Sequence, residues 1–76
     1  KTAMKDPKTQ LQEFLQSRKR PLPQYEVVET TGQAHNQTFI VSCTLDNGET
    51  MSATGTSRRK AEQAAAKKAL EVVKSE

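Results

Sequence analysis

The residues best placed to do chemistry are Ser57-Arg58-Arg59-Lys60-Ala61, which follow Gly55 almost directly. Read as the start of a helix, they put three consecutive bases in its first turn. A helix N-terminus draws anions through its free N–H groups and its dipole. Bases there meet a like-charged end, a mild cost that makes sense if an external anion such as a phosphate occupies the site. Taken alone, the run fits a solvated charged face equally well. Catalysis finds less support. The nine acids, Asp6, Glu13, Glu26, Glu29, Asp46, Glu49, Glu62, Glu71 and Glu76, are scattered singly. No two sit in a motif that would aim them at one Mg²⁺. One histidine, His35, and one cysteine, Cys43, cannot make a zinc site, and no glycine-rich nucleotide loop is present. The chain therefore reads as a binding module with no catalytic residue and no cofactor.

Charge favours an anionic partner. Lys and Arg total 12 against 9 Asp and Glu, a net charge of +3 with a pI near 9.3. Many domains are mildly basic, so the distribution says more than the sum. Five bases fall between Arg58 and Lys68, and three form Arg18-Lys19-Arg20. A membrane partner is not expected, because no apolar stretch approaches the roughly 20 residues needed to span a bilayer. The lone Cys43 allows no internal disulfide and suits a core position in a reducing, cytoplasmic compartment. The 76 residues suffice for one small domain. The chain opens on Lys1 rather than Met, which suggests a piece of a longer protein. Residues 1–5 would be linker and 6–75 the domain.

The elements that must position the bases are legible in the pattern. Asp6-Pro7 is a helix start, Asp as N-cap and Pro at the first helical position. Leu11, Phe14 and Leu15 follow at helical spacing, with Gln12, Glu13 and Gln16 largely outside that stripe. The helix must stop before Pro21. Tyr25–Thr31 reads as a strand and Gly32–Gln37 as a polar loop. Thr38–Leu45 alternates, with Phe39, Val41, Cys43 and Leu45 inward and Thr38, Ile40, Ser42 and Thr44 outward. Asp46-Asn47-Gly48-Glu49 is a hairpin turn, Asn-Gly supplying positive φ values. Thr50–Thr54 is a third strand ended by Gly55. Ser57 caps a second helix to about Val73, rich in alanines that let it lie close to a sheet. Phe39 and the alanines are expected in the core. The order predicts an α+β fold: two layers, α-β-β-β-α, with both helices on one face of a three-stranded antiparallel sheet.

Three motifs in this order carry a family resemblance. They are Pro23-Gln24-Tyr25 at a strand start, Gly32, His35 and Phe39 across a loop and strand, and Ser57-Arg58-Arg59-Lys60-Ala61 leading into an alanine-rich helix. Together they resemble the double-stranded RNA-binding domain over nearly the whole chain. Lys5-Asp-Pro-Lys-Thr-Gln-Leu-Gln-Glu13 and Ser57–Ala66 are most similar to the C-terminal domain of bacterial ribonuclease III enzymes. The resemblance implies binding to the shape of A-form RNA over about 16 base pairs, with two minor grooves and the intervening phosphates contacted. Gln12, Glu13 and Gln16 would serve the first groove and His35 the second. Ser57, Arg58, Arg59 and Lys60 would hold the phosphates. It further implies RNA processing, a monomeric fragment, and a homodimeric parent whose Mg²⁺-dependent endonuclease chemistry lies outside this chain.

Two departures stand out. Glu62 occupies a position where many members carry a third base, and Ala53 replaces a common glycine. An alternative role is a dimerisation or RNA-binding module of a non-nuclease protein. The retention of His35 and of the three bases argues against lost RNA contacts.

Overall fold

The computed structural model describes residues 5–76. The elements are α1 (Pro7–Ser17), β1 (Gln24–Gln33), β2 (Asn36–Thr44), β3 (Thr50–Gly55) and α2 (Arg58–Lys74). The expected α-β-β-β-α order is present. Most of the 1–5 segment read as linker lies outside the described residues.

Helix α1 starts because Asp6 stays extended and its Oδ1 accepts the Thr9 amide at 2.8 Å, while Pro7 has no N–H to satisfy. It ends ahead of Pro21 through a paired closure. Lys19 N–H donates to the Gln16 carbonyl at 3.0 Å and Arg20 N–H to the Leu15 carbonyl at 2.9 Å. This closure needs a left-handed residue, and Lys19 takes φ 58° where glycine is usual.

The three strands form one antiparallel sheet in the order β1-β2-β3. Tyr25 pairs with Cys43 and Val27 with Val41, after which a bulge leaves Val28 unpaired and exposed. The polar segment Gly32–Gln37 is mostly strand: Gly32 pairs with Gln37 and Gln33 with Asn36, so only Ala34 and His35 form the turn. Hydrogen bonding along two wet strands needs no apolar signal, which is why composition read it as loop. The positive φ that such turns ask of their central residues is found instead at Gly32, φ 90°, where a Cβ would strike the Asn36 carbonyl oxygen.

The second hairpin also differs in detail from a two-residue turn. Gly48 N–H donates to the Leu45 carbonyl at 3.0 Å and Leu45 N–H to the Glu49 carbonyl at 2.8 Å. Only Gly48 in it has positive φ, and the Asn47 side chain instead accepts the Glu49 amide at 2.9 Å. The result is a three-residue loop closing on a glycine bulge.

Helix α2 lies across β2 and β3, and α1 leans on α2 more than on the sheet. Leu11 and Leu15 meet Cys43, Leu45, Ala53, Ala65, Ala66, Ala69, Leu70 and Val73 in one core. The alanine face lets α2 lie close to the sheet, and Ala61 at its start is fully buried. Gly55 belongs to β3 and explains this approach: a Cβ on it would meet the Ala61 amide nitrogen and, at 2.8 Å, the Lys60 carbonyl carbon. Two burial expectations are corrected. Phe39 is only half-buried and outside the main cluster, because it sits opposite Gly55 and Thr30 at the far end of the helix-covered sheet. Ser42, assigned to the outer face, is buried, because β2 is central and Glu26 and Ser52 flank it. Ile40 is likewise half-buried.

Candidate nucleic-acid interface

The first turn of α2 is held from both sides. Ser57 is extended, and its Oγ accepts the Lys60 amide at 3.2 Å, so the Ser57 hydroxyl serves as cap. Arg58, Arg59 and Lys60 follow, all exposed, with no acid in that turn. On the sheet side, the backbone at Lys60 and Ala61 rests on Gly55, whose neighbour across the ladder is Phe39. From Phe39 the β1–β2 hairpin runs on to the exposed Ala34-His35 turn. On the other side stands α1. Gln12 and Arg59 line one surface hollow together with Lys8, Glu62 and Gln63. Thus α2 presents its bases between the Gln12 end of α1 and the hairpin that carries His35.

Gln12, Glu13 and Gln16 are exposed on α1. Gln12 and Gln16 lie one turn apart and share a face. Glu13 is engaged by Lys5, whose Nζ donates at 2.6 Å, both groups being exposed. The structure brings Gln12 together with Arg59. His35 is carried by a different element, at the hairpin tip.

Glu62 has a defined role. Its Oε1 accepts Lys8 Nζ at 2.7 Å and its Oε2 accepts Arg58 Nε at 3.1 Å, and its side chain is 14% exposed. The hydrogen bond from Lys8, reinforced by that ammonium's charge and by Arg58, holds the Glu62 carboxyl below its ordinary range against the opposing effect of burial. Glu62 is thus an acid that ties α1 to α2. Lys8 is gripped further: its backbone N–H donates to Gln63 Oε1 at 3.0 Å and its ammonium lies 4.9 Å from the Tyr25 ring centroid. No local signal in the sequence announces these contacts, since Lys8 and Glu62 are 54 positions apart. The Asp6 carboxyl is also lowered, chiefly by the Thr9 amide it accepts. Burial pushes the Tyr25 hydroxyl and the Cys43 thiol up.

The other basic run is largely absorbed by the fold. Arg20 donates to Asp46 at 2.7 Å and to Glu76 at 2.9 Å. The Arg18 guanidinium lies 4.7 Å from the Phe14 ring centroid, and Lys19 closes α1. Lys68 Nζ donates to the Ser52 carbonyl at 2.8 Å, covering the free edge of β3. Among the described residues, the bases whose charged groups have no side-chain or carbonyl partner are Arg59 and Lys60 in that first turn, Lys67 and Lys74 further along α2, and Lys19 after α1, while Arg58 pairs with Glu62. Among the described residues, no three His, Cys, Asp or Glu side chains come together as a metal site. No helix there is long and apolar enough to cross a membrane.

Comparison with known proteins agrees with this fold. The model of the double-stranded RNA binding motif family matches residues 7–73. Ribonuclease 3 of Idiomarina loihiensis is 63% identical over 71 residues, covering 92% of this chain and 31% of that protein. Ribonuclease 3 of Pseudoalteromonas translucida is 61% identical over 72 residues, 95% of this chain and 32% of that protein. The chain thus spans about a third of the length of these curated relatives. Among solved structures, Arabidopsis HYL1 superposes with a TM-score of 0.75 at 36% identity, covering 88% of this chain and 94% of the other. With motif, fold and relatives in agreement, the chain belongs to the double-stranded RNA binding motif family.

Proposed function

We propose that this chain binds double-stranded RNA by its A-form shape and serves as the substrate-binding domain of a ribonuclease III-like endoribonuclease. The observation that carries this reading is the seating of α2's first turn between α1 and the β1–β2 hairpin. A-form RNA offers a wide, shallow minor groove lined with 2′-hydroxyls, and a deep major groove bounded by phosphates. Gln12 and Gln16 can donate to and accept from 2′-hydroxyls, and Glu13 can accept from them once Lys5 yields. His35 at the hairpin tip would enter the next minor groove. Arg59 and Lys60, with Arg58, would span the phosphates between, helped by the free N–H groups of the capped helix start. Ser57 fixes that helix start.

The parent would be a homodimeric nuclease whose Mg²⁺-holding carboxylates lie outside this chain, since the residues described here do not fit such a site. The fragment would be a cytoplasmic monomer that leaves bound RNA uncut. The test compares RNA and DNA duplexes of one sequence, at least about 16 base pairs long. RNA should bind far more tightly, and titration should shift amide resonances from Gly32 to Gln37. Equal affinity for the two duplexes would refute shape recognition.

A further inference from the structure

We propose that Lys8 is a positioning residue for RNA recognition, setting the angle of α1 against the first turn of α2 through its bonds to Glu62 and Gln63. This rests on the RNA-binding reading above. Lys8 is the second residue of α1, where a backbone N–H has no partner within the helix. Gln63 supplies that partner from α2 at 3.0 Å, and the adjacent Glu62 takes the same residue's ammonium at 2.7 Å. The Tyr25 ring adds β1 as a third anchor. One residue of α1 is thereby fixed to two other elements by directional contacts.

The rest of the α1 contact cannot do this as well. Leu11 and Leu15 share their core cluster with Ala65, Ala66, Ala69, Leu70 and Val73 of α2. Alanine side chains give shallow ridges and apolar burial is non-directional, so this contact sets the angle of α1 less sharply than directional bonds do. Gln16 lies eight residues beyond Lys8, about 12 Å along the helix. Pivoting α1 by 10° at Lys8 would move Gln16 by roughly 2 Å, enough to break a hydrogen bond. Because Lys8 is held at both its backbone N–H and its ammonium, its bonds resist this pivot and so keep Gln12 and Gln16 in register with Arg59.

The experiment uses the whole chain with Lys8→Met, Glu62→Ala and the double substitution. Each is assayed well below its melting temperature for RNA affinity, RNA-over-DNA preference and the salt dependence of binding. Glu62→Ala is the sign test. Removing an acid beside Arg58 should, on charge alone, tighten RNA binding, whereas loss of alignment weakens it. Each single variant should bind RNA roughly tenfold more weakly with reduced RNA-over-DNA preference, a size within the range of coupled neighbours. The double variant should be no weaker than the weaker single. Lys8→Met should keep the parental salt slope, because its ammonium faces Glu62 and not a phosphate.

Tighter binding by Glu62→Ala, or parental affinity in both single variants, would overturn the proposal. So would a slope reduced by about 0.7 to 0.9 in Lys8→Met, the mark of a lost phosphate contact. A parent chain without preference for RNA would sink the RNA-binding reading itself. Unchanged variants of a parent that prefers RNA would sink the positioning role alone.

Discussion

Replacing Arg58 and Arg59 together by alanine separates binding from folding. Both side chains are exposed, Arg58 to 65%. Among the described residues the only ion pair lost is Arg58–Glu62, an (i, i+4) contact worth about 0.3–0.5 kcal/mol at such exposure. Against it stands relief of two positive charges at the positive end of the α2 dipole, about 0.3–1 kcal/mol each at low salt. Glu62 keeps its partner Lys8. The melting temperature should therefore stay level or rise slightly. RNA binding should fall sharply. If each arginine holds one phosphate, the log–log salt slope should flatten by about 1.4–1.8 in total. With the effect vanishing near 1 M salt, that is roughly 25- to 60-fold weaker binding at 0.1 M. Fluorescence anisotropy with a labelled duplex over a salt series measures both quantities, and thermal unfolding reports the fold. An unchanged slope would refute the phosphate role and move it to Lys60 and Lys67, since Lys68 is tethered at the Ser52 carbonyl. Unfolding of the variant would show the arginines to be structural.

Lys19→Gly should raise the melting temperature by a few degrees. It removes a left-handed strain of about 1–2 kcal/mol and gives back about 0.4–1 kcal/mol in unfolded-chain entropy. Gly55→Ala should do the reverse, lowering stability by about 1–3 kcal/mol, because the new methyl meets the α2 backbone at Lys60 and Ala61. The same displacement should weaken RNA binding, as the bases ride on that backbone. Acid should destabilise the fold. Asp6, Asp46 and Glu62 are lowered in the folded state from ordinary values of 3.8 to 4.5, so their stabilisation is full above that range and is lost as pH falls below it through their lowered values. Denaturant midpoints measured between pH 6 and pH 3 should decline below about pH 4.5, and a flat profile would contradict these interactions.

The fold was largely readable because its elements are coded locally. Asp6-Pro7, the Leu11, Phe14 and Leu15 spacing, the alternation of β2 and the Ser57 cap each act within about four residues. The basic first turn of α2 was legible for the same reason, being a local run on a capped helix start. Less local features escaped. Gly32–Gln37 read as loop because both of its faces are wet, although its backbone pairs. Phe39 read as core because its alternation was right, but alternation does not say how far the helices reach. The burial of Ser42 depended on β2 being the central strand.

What tertiary structure alone decided is which charges are free and which are spent. By composition alone, Arg18-Lys19-Arg20 and Arg58-Arg59-Lys60 are basic runs of equal length, and only the second sits on a capped helix start. In the folded chain Arg20 is bound by Asp46 and Glu76 and Arg18 lies over the Phe14 ring, so two of the first run's three charges are engaged. Glu62 read as a defect in the phosphate site, yet it holds Lys8 and joins the two helices. These partners lie 26 to 56 positions apart. Periodicity and capping describe a residue's relation to its own helix or strand, whereas an ion pair depends on where two elements meet. That meeting is set by packing α1 on the alanine face of α2, a choice no local pattern records.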